Sequence, residues 1–167
     1  QQQAQKTYQQ DLSNSQSALN NAASDNKIAN SDTDYTKSSN PTINKDAQNL
    51  ENTNQQIAQD ERALQGDLDK LQQLANSKTG FNEQAFNQVQ STEQQDEQTL
   101  QNDENAFNAE QEGLKQAIQQ AQAQEQQQAQ KTYQQDLSNS QSALNNAASD
   151  NKIANSDTDY TKSSNPT

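Results

Sequence analysis

The 167-residue chain carries 11 Lys and Arg against 23 Asp and Glu, a net charge of −12, and Gln and Asn supply about a third of its residues. Acidity on this scale repels nucleic-acid phosphates and anionic lipid alike, so neither is an expected partner. With no His and no Cys, the usual zinc sites, the Ser-His and Cys-His nucleophiles and any disulfide framework are excluded.

Residues 1–42 recur letter for letter as residues 126–167. Gln1 returns as Gln126, Tyr8 as Tyr133, Leu19 as Leu144 and Thr42 as Thr167, at a constant offset. The expected organisation is one complete helical repeat over 1–125 and the first helix of the next identical repeat over 126–167. Folding constrains the buried face of a repeat and leaves its solvent face free to drift, so identity at every position needs another cause. The chain begins at Gln1, with no Met and no apolar targeting or membrane-spanning segment. It is therefore expected to come from inside a longer polypeptide whose export signal or anchor lies elsewhere.

Scarce large apolar residues border on a disordered composition, yet their spacing is helical and Gln, Glu, Ala, Leu and Lys are good helix formers. The first predicted helix spans about 3–38. Tyr8, Leu12, Ser15, Leu19 and Ala22 keep heptad register, while Ile28 and Tyr35 lie on a shifted stripe before the Ser38, Ser39, Asn40, Pro41 break. Asp32, Asp34 and Thr36 alternate like the start of a calcium loop. Lys37 stands where that loop needs Gly and Ile43 where it needs a bidentate Glu, so the stretch reads as a helix end.

The second predicted helix spans about 41–76. Ile43, Ala47, Leu50, Asn54, Ile57, Glu61, Leu64, Leu68, Leu71 and Ala75 step by four and three without a break, the seam of a helix packed on partner helices. Asn40 suits the N-cap and Pro41 the first helical position. A turn follows over Asn76, Ser77, Lys78, Thr79 and Gly80.

The third predicted helix spans about 82–125, capped by Asn82. Its seam of Phe86, Val89, Glu93, Asp96, Leu100, Asp103, Phe107, Glu110, Leu114, Ala117 and Ala121 is interrupted by acids. No Pro or turn cluster separates Leu114 from Tyr133 and Leu137, so this helix is expected to continue into the next repeat, with a stutter of register near residue 126.

Three amphipathic helices joined by short turns hide their stripes against one another, which predicts an all-α, antiparallel three-helix bundle. A last helix continuous with the first helix of the next repeat makes the array an elongated rod. Such a bundle needs roughly thirty inward positions, whereas residues 1–125 hold nineteen Ile, Leu, Val, Phe and Tyr. Ala and a few polar residues must fill the rest, and modest stability is expected.

A unit whose third helix runs into the first helix of the next resembles the spectrin repeat in architecture, without that family's helix tryptophan. Near-identical, Gln/Asn/Ala-rich, acidic, Cys-free repeats resemble the stalk regions of Gram-positive cell-wall-anchored surface adhesins. The resemblance implies an extracellular spacer that projects a functional tip from the wall, with neighbouring repeats of the same chain as its partners.

Chemistry has few footholds. Glu93, Asp96, Asp103 and Glu110 on the third seam are the only candidates for acid–base work, and they read instead as layer-edge residues reaching water. Tyr8, Tyr35, Phe81, Phe86 and Phe107 read as core fillers, with Phe81 under the turn at Gly80. Gly66, Gly80 and Gly113 are too isolated for a phosphate loop. Asp67 with Lys70 and Glu112 with Lys115 are i,i+3 pairs on a solvated face. The expectation is therefore a non-enzymatic spacer with no catalytic, cofactor or metal residues. The alternatives are a multivalent helical repeat engaging a host protein and a self-associating coiled coil.

Overall fold

The computed structural model describes residues 1–163, with side chains through residue 157; Ser164, Asn165, Pro166 and Thr167, the end of the second copy, lie outside the described residues. The described chain is all-helical: α1 spans Gln2–Asp32, a 3₁₀ turn Thr33–Lys37, α2 Pro41–Ala75 and α3 Glu83–Ser163. Contacts divide it into two compact units, residues 1–119 and 120–167.

The helix ends follow local chemistry. Asn40 Oδ1 accepts from the amides of Thr42 and Ile43 at 3.0 and 3.4 Å, and Pro41 occupies the first turn, where its missing N–H is no loss. The Asn76 amide closes α2 on Gln72 O. Gly80 then turns the chain at φ 126°, a conformation that Cβ disfavours. Asn82 Oδ1 accepts from the Ala85 amide at 3.0 Å and starts α3.

The helix expected to reach Ser38 ends at Asp32 instead. Hydroxyls there compete for the backbone: Thr33 Oγ1 donates to Ala29 O and Asn30 O, Thr36 Oγ1 to Thr33 O, and the stretch tightens to 3₁₀. Asn44 Nδ2 of α2 donates to Thr36 O and ties the turn down. The same letters, Thr158–Ser163, are α-helical at the end of α3. Identical sequence thus adopts two conformations.

In the unit 1–119, α2 follows its predicted seam. Ile43, Ala47, Leu50, Ile57, Leu64, Leu68, Leu71 and Ala75 are buried, with Asp67 joining them, and α3 contributes Phe86, Leu100, Phe107 and Leu114. On α1 the buried stripe is Ala4, Asp11, Ser15, Ala18, Ala22, Asp25 and Ala29. The seam expected on Tyr8, Leu12 and Leu19 is therefore rotated: those residues flank it half-buried, and Tyr35 is exposed rather than a core filler. Bulky side chains from α2 and α3 already fill the centre, so α1 meets them with short ones. At one end Ala4, Leu71, Ala75 and Phe86 pack with Tyr8, Leu74, Phe81 and Val89, the two Phe rings tilted at 5.6 Å. There Gln1 Nε2 donates to Ser77 O and Gln5 Nε2 to Asn76 Oδ1, holding the start of α1 beside the end of α2.

The second unit is exposed along residues 126–157. Tyr133, Leu137, Leu144 and Ile153 stand 68%, 58%, 65% and 60% exposed.

The contrast between units predicts unequal costs for one substitution. Leu64→Ala should destabilise the fold by about 2–5 kcal/mol in urea titrations, because Leu64 is fully buried. Leu144→Ala should change stability by no more than about 0.5 kcal/mol.

Candidate functional site

Buried acids are the most unusual chemistry of the unit 1–119, and heptad spacing brings them to the helix interfaces. Glu93, 1% exposed on the α3 seam, accepts a 2.7 Å hydrogen bond from Ser15 Oγ of α1. Gln90 Nε2 donates to Asp11 Oδ2 at 3.0 Å, and Asn21 Nδ2 to Glu104 Oε2 at 3.4 Å. Asp60 meets Asp103 and Asp67 meets Asp96, carboxyl facing carboxyl between α2 and α3.

These groups are under-satisfied. Asp25 Oδ2, Asp60 Oδ2, Asp67 Oδ2, Glu93 Oε2, Glu104 Oε1 and Glu110 Oε2 are buried with no hydrogen-bond partner in the protein. Removing a carboxylate from water disfavours its charged form, and burial is the leading cause that raises the pKa of Asp11, Asp25, Asp60, Glu93, Asp96 and Glu104. Neighbouring carboxyls add to it: Asp103 at Asp60, Asp11 at Glu93, Asp67 at Asp96 and Asp25 at Glu104. The Ser15, Gln90 and Asn21 bonds pull the other way, favouring charge on Glu93, Asp11 and Glu104.

Of the four sequence candidates, Asp96, Asp103 and Glu110 are half-buried, whereas Glu93 is sealed inside and does not reach water. The layer-edge expectation fails there because the short, fully buried Ser15 of α1 stands opposite and hydrogen-bonds the carboxyl. Asp11, Asp25, Asp67 and Glu104 were not singled out by the apolar pattern. Their signal lies in the steps of three and four from Asp11 through Ser15, Ala18 and Ala22 to Asp25, a stripe of short residues with no large apolar member. Asp67 does pair with Lys70, at 2.8 Å, but from a buried position rather than a solvated face.

The other motifs serve the scaffold. Asp32 ends α1, and Asp34 and Thr36 lie in the 3₁₀ turn that follows it. Among the described residues no group of three or more acids is arranged to hold a metal ion, and no helix is long and apolar enough to cross a membrane. A shallow cleft of about 260 Å³ near the start of α1 is lined by Ala4, Thr7, Phe81, Glu83, Phe86 and Gln90. Glu83 is the one ionisable side chain on that wall. The arrangement can take up protons at helix interfaces.

No family model, curated protein or solved structure matches this chain.

The raised carboxyls set a pH dependence. Each holds its proton more tightly folded than unfolded, so the stability it contributes is fully present below the ordinary Asp and Glu values of 3.8 and 4.5 and is lost as pH rises through the raised folded values. The thermal midpoint should therefore rise as pH is lowered from neutral toward the ordinary Glu value. Glu93→Gln should raise stability at neutral pH by about 1 kcal/mol, the scale of one buried unpaired group, and flatten the pH slope measured by circular dichroism.

Proposed function

We propose that the 125-residue unit is a non-enzymatic structural spacer of a bacterial surface adhesin, repeated along a stalk that holds a functional tip away from a Gram-positive cell wall. The observation that carries this reading is the identity of residues 1–42 with 126–167 at positions that packing leaves free. Gln9, Gln10, Ser13 and Asn14 are exposed and recur unchanged as Gln134, Gln135, Ser138 and Asn139. Homogeneous copies suit a function that depends on how many units there are, since adding one changes length without adding a new site.

In this reading the helices form an antiparallel, spectrin-like three-helix bundle, and α3 passes without a turn into the first helix of the following unit. Asp11 lies beside Gln90, Ser15 beside Glu93 and Asn21 beside Glu104. A residue of α1 is thus level with one about 80 positions later, while its repeat lies 125 later. An unbroken helix then advances each unit by about 45 residues, roughly 65–70 Å at 1.5 Å per residue.

Chains carrying one to four units should lengthen by that increment per unit in the maximum dimension measured by X-ray scattering. A maximum dimension that stops growing with copy number refutes the spacer.

A further inference from the structure

Within the unit 1–119, α1 holds its place with little apolar bulk. Its buried stripe is Ala4, Asp11, Ser15, Ala18, Ala22, Asp25 and Ala29, and Leu12, Leu19 and Ile28 are only half-buried. The stripe of α2 carries Ile43, Leu50, Ile57, Leu64, Leu68 and Leu71, so lifting α1 away forfeits far less hydrophobic burial than parting α2 from α3.

The same α1–α3 boundary is where carboxyls are sealed. Asp11 and Asp25 of α1 and Glu93 and Glu104 of α3 are all buried, and Asp25 Oδ2, Glu93 Oε2 and Glu104 Oε1 have no hydrogen-bond partner. Glu93 faces Ser15 and Asp11 of α1, Asp67 of α2 and Glu97 of its own helix. Glu104 faces Asn21 and Asp25, and Asp11 faces Gln90. Every charged group among these neighbours is another acid, while the ammonium of Lys70 is taken by Asp67 at 2.8 Å.

We infer that α1 is a proton-controlled strap: it stays seated on α2 and α3 while Asp11, Asp25, Glu93 and Glu104 are neutral, and it leaves that surface ahead of the rest of the unit as they ionise. Lifting α1 returns the four carboxyls to water and keeps the large apolar residues of α2 and α3 together. The meetings of Asp60 with Asp103 and of Asp67 with Asp96 lie between α2 and α3 and are not relieved by that motion. The sign follows from burial, which raises all four pKa values. A seated helix holds these protons more tightly than a released one, so seating is fully supported below the ordinary values of 3.8 and 4.5 and weakens as pH rises through the raised ones. The strap depends on packing inside one unit and not on the repetition that makes a spacer.

Amide hydrogen exchange of the full chain, read on peptic peptides and corrected for the intrinsic rate at each pH, separates local from global opening. The substitution S142T, at an exposed position, marks the second copy by mass, so that residues 12–25 are told from their identical counterparts at 137–150. From pH 4.5, the ordinary Glu value, to neutral, protection over 12–25 is expected to fall about tenfold and to lie below that of residues 57–71 of α2 throughout. Equal protection of the two segments, or no fall over 12–25, overturns the proposal. E93Q with E104Q keeps acceptors for Ser15 and Asn21 without the charge and is expected to remove most of the fall over 12–25; a fall of undiminished size overturns it. D60N, between α2 and α3, is expected to make the pH response of 57–71 shallower and to leave that of 12–25 as it was. A shallower response over 12–25 in D60N also overturns it, because α1 would then open only with the whole unit.

Discussion

The short side chains on one face of α1 are the constraint on which the rest of the unit depends. Ala4, Ser15, Ala18, Ala22 and Ala29 supply almost no volume, so the apolar bulk must come from α2 and α3, and it does, from Leu50 and Ile57 through Leu71 on one and from Phe86 to Leu114 on the other. Interiors tolerate few voids, and a helix with a flat face fills them only by close approach. Close approach in turn seals polar groups that a looser unit would leave in water. Glu93 is the clearest case.

The buried acids follow from that geometry and oppose it. Asp25, Asp60, Glu93 and Glu104 cost stability at neutral pH because their charged forms have left water with an oxygen unpaired. They also discriminate between registers. Sliding α1 by one heptad would part Ser15 from Glu93 and Asp11 from Gln90, leaving those carboxyls with still fewer donors, whereas an all-Ala face would slide at little cost. Polar pairs at otherwise featureless seams are a known means of fixing register, and here they select one alignment of a face that carries little shape of its own.

Two copies of one sequence show how far context decides the outcome. As α1, the segment buries its Ala stripe, breaks at Asp32 and turns as 3₁₀ where Asn44 holds Thr36 O. As part of α3 it stays helical to Ser163, with Tyr133, Leu137, Leu144 and Ile153 exposed. Helix propensity is common to both. In the first copy the break coincides with the Thr33 and Thr36 hydroxyl bonds and with the seated Asn44 of α2.

Local chemistry and period made much of this legible from the residues. The α2 seam, the Asn40 cap with Pro41, the turn at Gly80 and the Asn82 start are short-range matters of spacing, capping and φ, and each stands where the letters place it. The carboxylates were half legible: Glu93, Asp96, Asp103 and Glu110 lie on an apolar seam, while Asp11, Asp25, Asp67 and Glu104 lie on or beside stripes that contain little to mark them as inward. Ser15 and Ala22 lie buried where the heptad put them, but the centre of the buried face of α1 was decided only in three dimensions, because Leu12 and Leu19 outrank Ala18 in hydrophobicity but not in fit against bulky neighbours. By itself the sequence determined that there are helices, where α2 and α3 begin, and that a second α1 exists. The tertiary structure alone decided which acids lose water and where the first helix stops, since burial and packing depend on residues distant in the chain.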